Sequence, residues 1–345
     1  MIPTLRSDNI ATAHPSIVRA VAEANEGPAA AYGDDDYTAL MNRRFSDFFG
    51  TKAVVFPVST GTAANALSLA SCARPYGGIY CHQEAHIHTA EGGATEAYTG
   101  GAKLIPLPGA DYKLSPDVLA DALRHAERGV RNRPQPDAVS ITQASEYGTV
   151  YGLDEIGAIG AAVREAGVVF HMDGARFANA LATLGCEPAD MTWRQGVDIL
   201  SFGCTKNGGM NTEAIVVFKP ALVEPLSYHL RRAGQTWSKM RFSAAQLMAY
   251  IDNGLLLQLA GQANALAARL GRELSALPGA ELVAPVQANL VFLRLPQAAI
   301  DKLAEAGVRF ARRRGGIIRL VTRFDGSQEE VDAMVTLTRA ALGGV

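Results

Sequence analysis

Short, nearly unbroken apolar runs alternate with longer alanine-rich stretches over the first two thirds of this chain. Runs of this length, bounded by glycine, proline and small polar residues, predict strands. They fall at Ala53–Val58, Gly77–Cys81, Ala102–Leu107, Ala138–Ala144, Val168–Asp173, Val197–Phe202 and Ala214–Phe218. The stretches Gly61–Ala73, Ser115–Gly129 and Asp154–Gly167 predict helices, the second with Ser115 as N-cap and Pro116 at its first position. Strands that are apolar on both faces and alternate with helices predict an α/β fold, a mostly parallel sheet covered on both sides.

After Met240 the texture changes. Ala244–Leu277 is rich in alanine and leucine and predicts one long helix. Beyond it come strand-like Asn289–Leu295, a helical Gln297–Ala306, strand-like Ile317–Thr322 and a last helix opening on Ser327-Gln-Glu-Glu330, a capping-box spacing. This predicts three parts: an irregular arm over residues 1–20, a large domain over 21–243, and a smaller α+β C-terminal domain over 244–345, joined by the long helix.

Composition narrows the function classes. At 345 residues, 48% hydrophobic and 19% charged, the chain can bury a sizeable core. A net charge of −2 argues against nucleic acid or an anionic membrane as the main partner. The triplet Arg312-Arg313-Arg314 reads as a solvated turn. Cys72, Cys81, Cys186 and Cys204 are scattered, with no pairing at zinc spacing. No apolar stretch approaches the about 18 residues of a membrane span, and no secretory h-region opens the chain. The expectation is a cytoplasmic protein without a metal.

In open parallel sheets, chemistry gathers at the carboxyl ends of the strands. Three such ends here carry unusual residues. Ser59-Thr-Gly-Thr-Ala-Ala-Asn65 joins a strand to a helix, so the N–H groups at that helix start can receive an anion, most simply a phosphate. His171-Met-Asp-Gly-Ala-Arg176 places Asp173 at a strand end, where it either caps a helix or faces a cation such as a protonated ring nitrogen. Lys206, in Asp198–Gly209, follows a third strand and precedes two glycines. A lone lysine there is ordinarily a surface lysine, and it also suits an amine that forms a Schiff base. Phosphate cradle, strand-end aspartate and strand-end lysine, in that order, are what pyridoxal phosphate requires. His86 and His88 follow another strand. An imidazole there could stack on the cofactor ring or relay a proton, and no third ligand accompanies the pair as a metal site.

At these residues the chain resembles the threonine aldolases, of pyridoxal-phosphate fold type I (aspartate-aminotransferase-like). The similarity runs through Leu5–Asn9, Tyr32–Asp35, Ser59–Asn65, Ala85–Gly93, His171–Arg176, Ser201–Gly208, Ser238–Phe242 and Ile317–Thr322. It is nearest to the bacterial low-specificity L-threonine and phenylserine aldolases. The resemblance implies that Lys206 holds the cofactor, that Gly61 and Thr62 bind its phosphate with help from Arg241, and that His86 stacks on the ring. Asp173 pairs with the ring nitrogen, and Arg176 binds a cofactor oxygen or the substrate carboxylate. Ser7 and Arg319 complete a carboxylate clamp, while Tyr32 and Asp35 line the site across a subunit interface. One departure stands out: Glu146, in Ala144–Gly148, replaces a histidine that other members carry. The glycines after Lys206 also suggest a looser loop than usual.

The implied activity is retro-aldol cleavage of L-threonine, L-allo-threonine or related β-hydroxy-α-amino acids, phenylserine among them, to glycine and an aldehyde. His86, then Glu146, are the candidates for the base. The alternatives are another reaction of the same cofactor on a small amino acid (β-elimination, racemisation or transamination) or a non-catalytic cofactor-binding protein. The resemblance implies a homodimer or homotetramer with shared active sites.

Overall fold

The computed structural model describes residues 2–343. Seven strands form the large sheet: β1 (Val54–Val58), β2 (Gly77–His82), β3 (Lys103–Leu107), β4 (Gln135–Thr142), β5 (Val169–Gly174), β6 (Ile199–Phe202) and β7 (Glu213–Val217). Their order is β1-β7-β6-β5-β4-β2-β3. Neighbours pair in parallel except at β7, which runs against both β1 and β6. The carboxyl ends of β1, β5 and β6 therefore meet along one edge, and the start of β7 joins them there. Val58 pairs with Glu213, and Asp173 with Ser201.

Both faces are covered, because the strands are apolar on both. One face carries helices Asp36–Phe49, Pro116–Arg124, Leu153–Ala166, Phe177–Leu184 and Arg241–Ile251. Their core includes Phe45, Phe49, Ile156, Phe177, Phe202 and Tyr250. The other carries Gly61–Cys72 and Val223–Arg232, whose Leu67, Leu226 and Leu230 pack on Ile199 and Ile215.

A second sheet holds β8 (Glu281–Leu282), β9 (Leu290–Arg294), β10 (Ala311–Arg313) and β11 (Ile317–Val321), all antiparallel, in the order β10-β11-β9-β8. Helices Leu255–Ser275, Gln297–Glu305 and Gln328–Ala341 pack on it around Leu270, Leu293, Leu320 and Met334.

Three local readings change. The long helix is two, Arg241–Ile251 and Leu255–Ser275, broken at Asp252-Asn253-Gly254. Asn253 (φ 56°) and Gly254 (φ 71°) are left-handed there, which no continuous helix allows. Arg312 and Arg313 lie in β10 rather than in a turn. The arm contains a helix, Pro15–Glu23, and is anchored: Leu5 is buried in the second core, its N–H donates to Arg309 O, and its carbonyl accepts from Val321 N–H.

Candidate active site

Gly61, Thr62, His86, Glu146, Asp173 and Lys206 line one cavity of about 280 Å³ at the strand-end edge. Residues more than a hundred positions apart meet there because the sheet order places β1, β5 and β6 close together. Gly203 lets the two central strand ends approach, since a Cβ on it would sit 2.4 Å from Ala175 O.

The helix Gly61–Cys72 starts at the cavity wall. Thr60 caps it, its Oγ1 accepting from Ala63 N–H at 3.1 Å. The N–H groups of Gly61 and Thr62 lie in the first turn and have no partner within the helix. A Cβ added to Gly61 would meet nothing within 4 Å. The glycine thus leaves open space over an anion-receptive helix end, which suits a phosphate.

Asp173 is only 2% exposed. Its Oδ1 accepts from Ala175 N–H at 3.0 Å and its Oδ2 from Asn65 Nδ2 at 2.9 Å. The Asn65 amide also reaches Glu91 Oε1, and Glu91 Oε1 lies 2.8 Å from His86 Nδ1. The Glu91 bond raises the His86 imidazole above its ordinary pKa, against burial. Burial in turn raises the Glu91 carboxyl, against its bonds to His86 and Asn65. Neither Asn65 nor Glu91 was singled out by sequence reasoning, although both sit inside the motifs Ser59–Asn65 and Ala85–Gly93. Asn9 also lines the cavity without having been singled out.

Lys206 sits in a short 3₁₀ turn, Thr205–Asn207. The turn is tied down despite its glycines. Glu213 accepts from the N–H groups of Cys204 and Thr205. Asn207 Nδ2 donates to Tyr250 Oη and Leu256 O, and Gly208 O accepts from His14 N–H. Glu213 is buried, which raises its carboxyl against these bonds and the nearby Lys206 charge.

The remaining predicted residues, Ser7, Arg176 and Arg319 included, are not among those that line the cavity. Arg176 makes a two-pronged ion pair with Asp8, Nε to Oδ2 at 2.8 Å and Nη2 to Oδ1 at 3.1 Å. Burial works to raise the Asp8 carboxyl, but Arg176, Lys206 and the Asn289 amide hold it below its ordinary value. Arg319, on β11, has a buried Nε without a partner among the described residues. Burial, then the charges of Arg176 and Arg313, lower its pKa. An unpartnered buried guanidinium donor is suited to a carboxylate. Ser7 caps the turn Asp8–Ile10, accepting from Asn9 N–H at 3.2 Å. Within the single chain Tyr32, Asp35 and Arg241 lie outside the cavity. Tyr32 is 53% exposed beside a separate hollow, Asp35 caps the helix Asp36–Phe49, and Arg241 Nη1 donates to Gly27 O. His88 Nδ1 meets Gln83 O on the surface.

Comparison with known proteins identifies the family. A family model described as beta-eliminating lyase matches residues 4–297. The chain is 41% identical to the low specificity L-threonine aldolase of Pseudomonas aeruginosa, over 98% of this chain and 97% of that protein. It is 40% identical to the protein of the same name from a Pseudomonas species, over 97% of each. The solved threonine aldolase of Leishmania major superposes with a TM-score of 0.90 at 28% identity, covering 98% of this chain and 99% of that one. The fold type I architecture expected from the motifs is thus borne out over nearly the whole chain. With its lysine, aspartate and anion-receptive helix end in one cavity, the chain belongs to the beta-eliminating lyase family, among its threonine aldolases.

Proposed function

We propose that this protein is a pyridoxal-phosphate-dependent carbon–carbon lyase that cleaves L-threonine, L-allo-threonine and related β-hydroxy-α-amino acids to glycine and an aldehyde. One observation carries the reading: Lys206, Asp173, His86 and the open helix end at Gly61 line the same cavity. Those groups fit the cofactor one by one. The N–H groups of Gly61 and Thr62, with the Thr62 hydroxyl, bind its phosphate. Lys206 Nζ would hold its aldehyde carbon. Asp173, fixed by Asn65 and the Ala175 N–H, holds a proton at the ring nitrogen. When bound, pyridoxal phosphate supplies an electron sink for the pair released at Cα.

The protein's own groups do the rest. Arg319 Nε receives the substrate carboxylate, and Ser7 stands on the same arm as Asp8. Arg176, with two of its nitrogens committed to Asp8, offers Nη1 to a cofactor oxygen or to the carboxylate. A base within the cavity removes the β-hydroxyl proton; His86 and Glu146 both line it. Tyr32 and Arg241 act on the site of a second copy in a homodimer or homotetramer; Asp35, buried with both oxygens bonded to Thr38, holds the helix start beside Tyr32 instead. The cytoplasm is the proposed compartment; among the described residues no helix is long and apolar enough to cross a membrane.

The test is a product assay on L-threonine and L-allo-threonine. Glycine and acetaldehyde form in equal amounts, and Lys206→Ala loses both turnover and the visible band of lysine-bound cofactor. A keto acid or a D-amino acid without aldehyde would overturn the lyase reading.

A further inference from the structure

A buried string of polar side chains leads inward from His86. Glu91 Oε1 is 2.8 Å from both His86 Nδ1 and Asn65 Nδ2, and the same amide is 2.9 Å from Asp173 Oδ2. The Glu91 side chain is 0% exposed, and its Oε2 has no partner among the described residues. An amide nitrogen only donates, so Glu91 Oε1 is an acceptor. When Glu91 is ionised, the proton between Oε1 and the imidazole sits on His86 Nδ1. The same holds for a neutral Glu91 with its proton on Oε2; a proton on Oε1 itself would instead be donated to Nδ1, which is the outcome the tautomer measurement below separates. With Nδ1 committed, Nε2 is the ring nitrogen left to accept.

We propose that Glu91, backed by Asn65, is a positioning residue that fixes His86 with Nδ1–H turned to the interior and Nε2 free to take the β-hydroxyl proton. The inference rests on the lyase reading above. In the step, the hydroxyl O–H bond breaks and its proton goes to Nε2. The O–H electron pair closes the aldehyde C=O. The Cα–Cβ pair leaves toward Cα, where a proton added later completes glycine. Three acidic groups face the imidazole: Glu91 from its own segment, Glu146 from the loop after β4, and Asp173 from the end of β5. Lys206 lines the same cavity. Of these groups, Glu91 alone is hydrogen-bonded to the ring.

Two measurements on the holoenzyme test this. Imidazole ¹⁵N NMR of the wild type reads the tautomer, with His86 assigned by its loss in His86→Gln. The expected neutral form carries its proton on Nδ1. The pH profiles of kcat and KM for L-threonine are compared for wild type, Glu91→Gln, Glu91→Asp and Glu146→Gln. Glu91→Gln moves the acidic limb of kcat/KM down by about one pH unit and lowers kcat about 10-fold, with KM changed less than about threefold. Glu91→Asp recovers part of the loss. A neutral His86 protonated on Nε2 overturns the proposal. So does a Glu91→Gln profile that superimposes on wild type, or an acidic limb abolished by Glu146→Gln alone. Should Glu91→Gln fail to fold, the wild-type NMR decides. A wild type that releases no glycine and aldehyde would sink the lyase reading, while the tautomer is still read from the spectrum.

Discussion

Asp173 shows how much one buried carboxylate can be asked to do. Both its oxygens are already satisfied by neutral donors, Ala175 N–H and the Asn65 amide. Such donors hold the side chain in place, and in the proposed function it faces the ring nitrogen of the cofactor. Asp173→Asn keeps the shape and removes the charge. We expect kcat to fall about 10- to 100-fold, the worth of a charge-assisted hydrogen bond, with cofactor affinity reduced; steady-state kinetics and cofactor titration read both. His171, two positions earlier, contrasts with it. Its ring bridges Ser140 Oγ at 2.8 Å and Ser201 Oγ at 3.0 Å, joining β4, β5 and β6, and burial pushes its pKa down to about 4. Above pH 6.5 the imidazole is neutral in both folded and unfolded chains, and its contribution is complete. As pH falls below that, the unfolded chain takes up a proton that the folded one does not. Stability is therefore lost down to about pH 4, by about 3 kcal/mol in all. His171→Gln should lower the urea midpoint at pH 7.5, yet lose less than wild type on going to pH 5.

The two helices that replace one show where a sequence pattern misleads. Alanine and leucine continue through Ala244–Leu277, so periodicity gives no sign of a break. Asp252-Asn253-Gly254 does, because asparagine and glycine tolerate left-handed backbone. A Cβ on Gly254 would meet nothing within 4 Å, so its need for glycine is one of backbone alone. Gly254→Ala should cost about 1 kcal/mol, seen as a lower urea midpoint, with kcat unchanged. The seven strands of the large sheet were legible to within a few residues, because buried parallel strands are apolar throughout. The two-residue β8 and the arginine-bearing β10 were not, since an exposed edge strand needs no apolar run. Half of the last helix's capping box was misread. Ser327 accepts from Glu330 N–H as expected, but the Glu330 carboxylate accepts from Thr4 N–H and pairs with Arg323 instead. In the site, Lys206, Asp173 and Gly61 were legible because strand ends are marked by abrupt changes of residue type. Glu91 and Asn65 were hidden, since nothing local says that Asn65 and His86, from different helices, will share one buried oxygen of a glutamate that lies between helices.

As a whole, the molecule builds its cavity from the strand ends of the large sheet together with Asn9 of the arm, and Tyr32, Asp35 and Arg241 lie outside it. If Tyr32 and Arg241 serve a second copy, inactive variants should rescue each other. Mixing Lys206→Ala with Arg241→Ala subunits under exchange should restore about a quarter of wild-type activity in a dimer, from hybrids with one intact site. No recovery in proven hybrids would assign Arg241 to its own chain. The arm's path has a different consequence. Within a dozen residues it contributes Leu5 to the small-sheet core, Asp8 to Arg176 and His14 N–H to the turn that carries Lys206. These contacts tie the arm to both sheets at once. Efforts to retune the site by directed evolution should therefore include a library over Leu5–Ala13, the short segment that anchors to both sheets and sends Asn9 into the cavity.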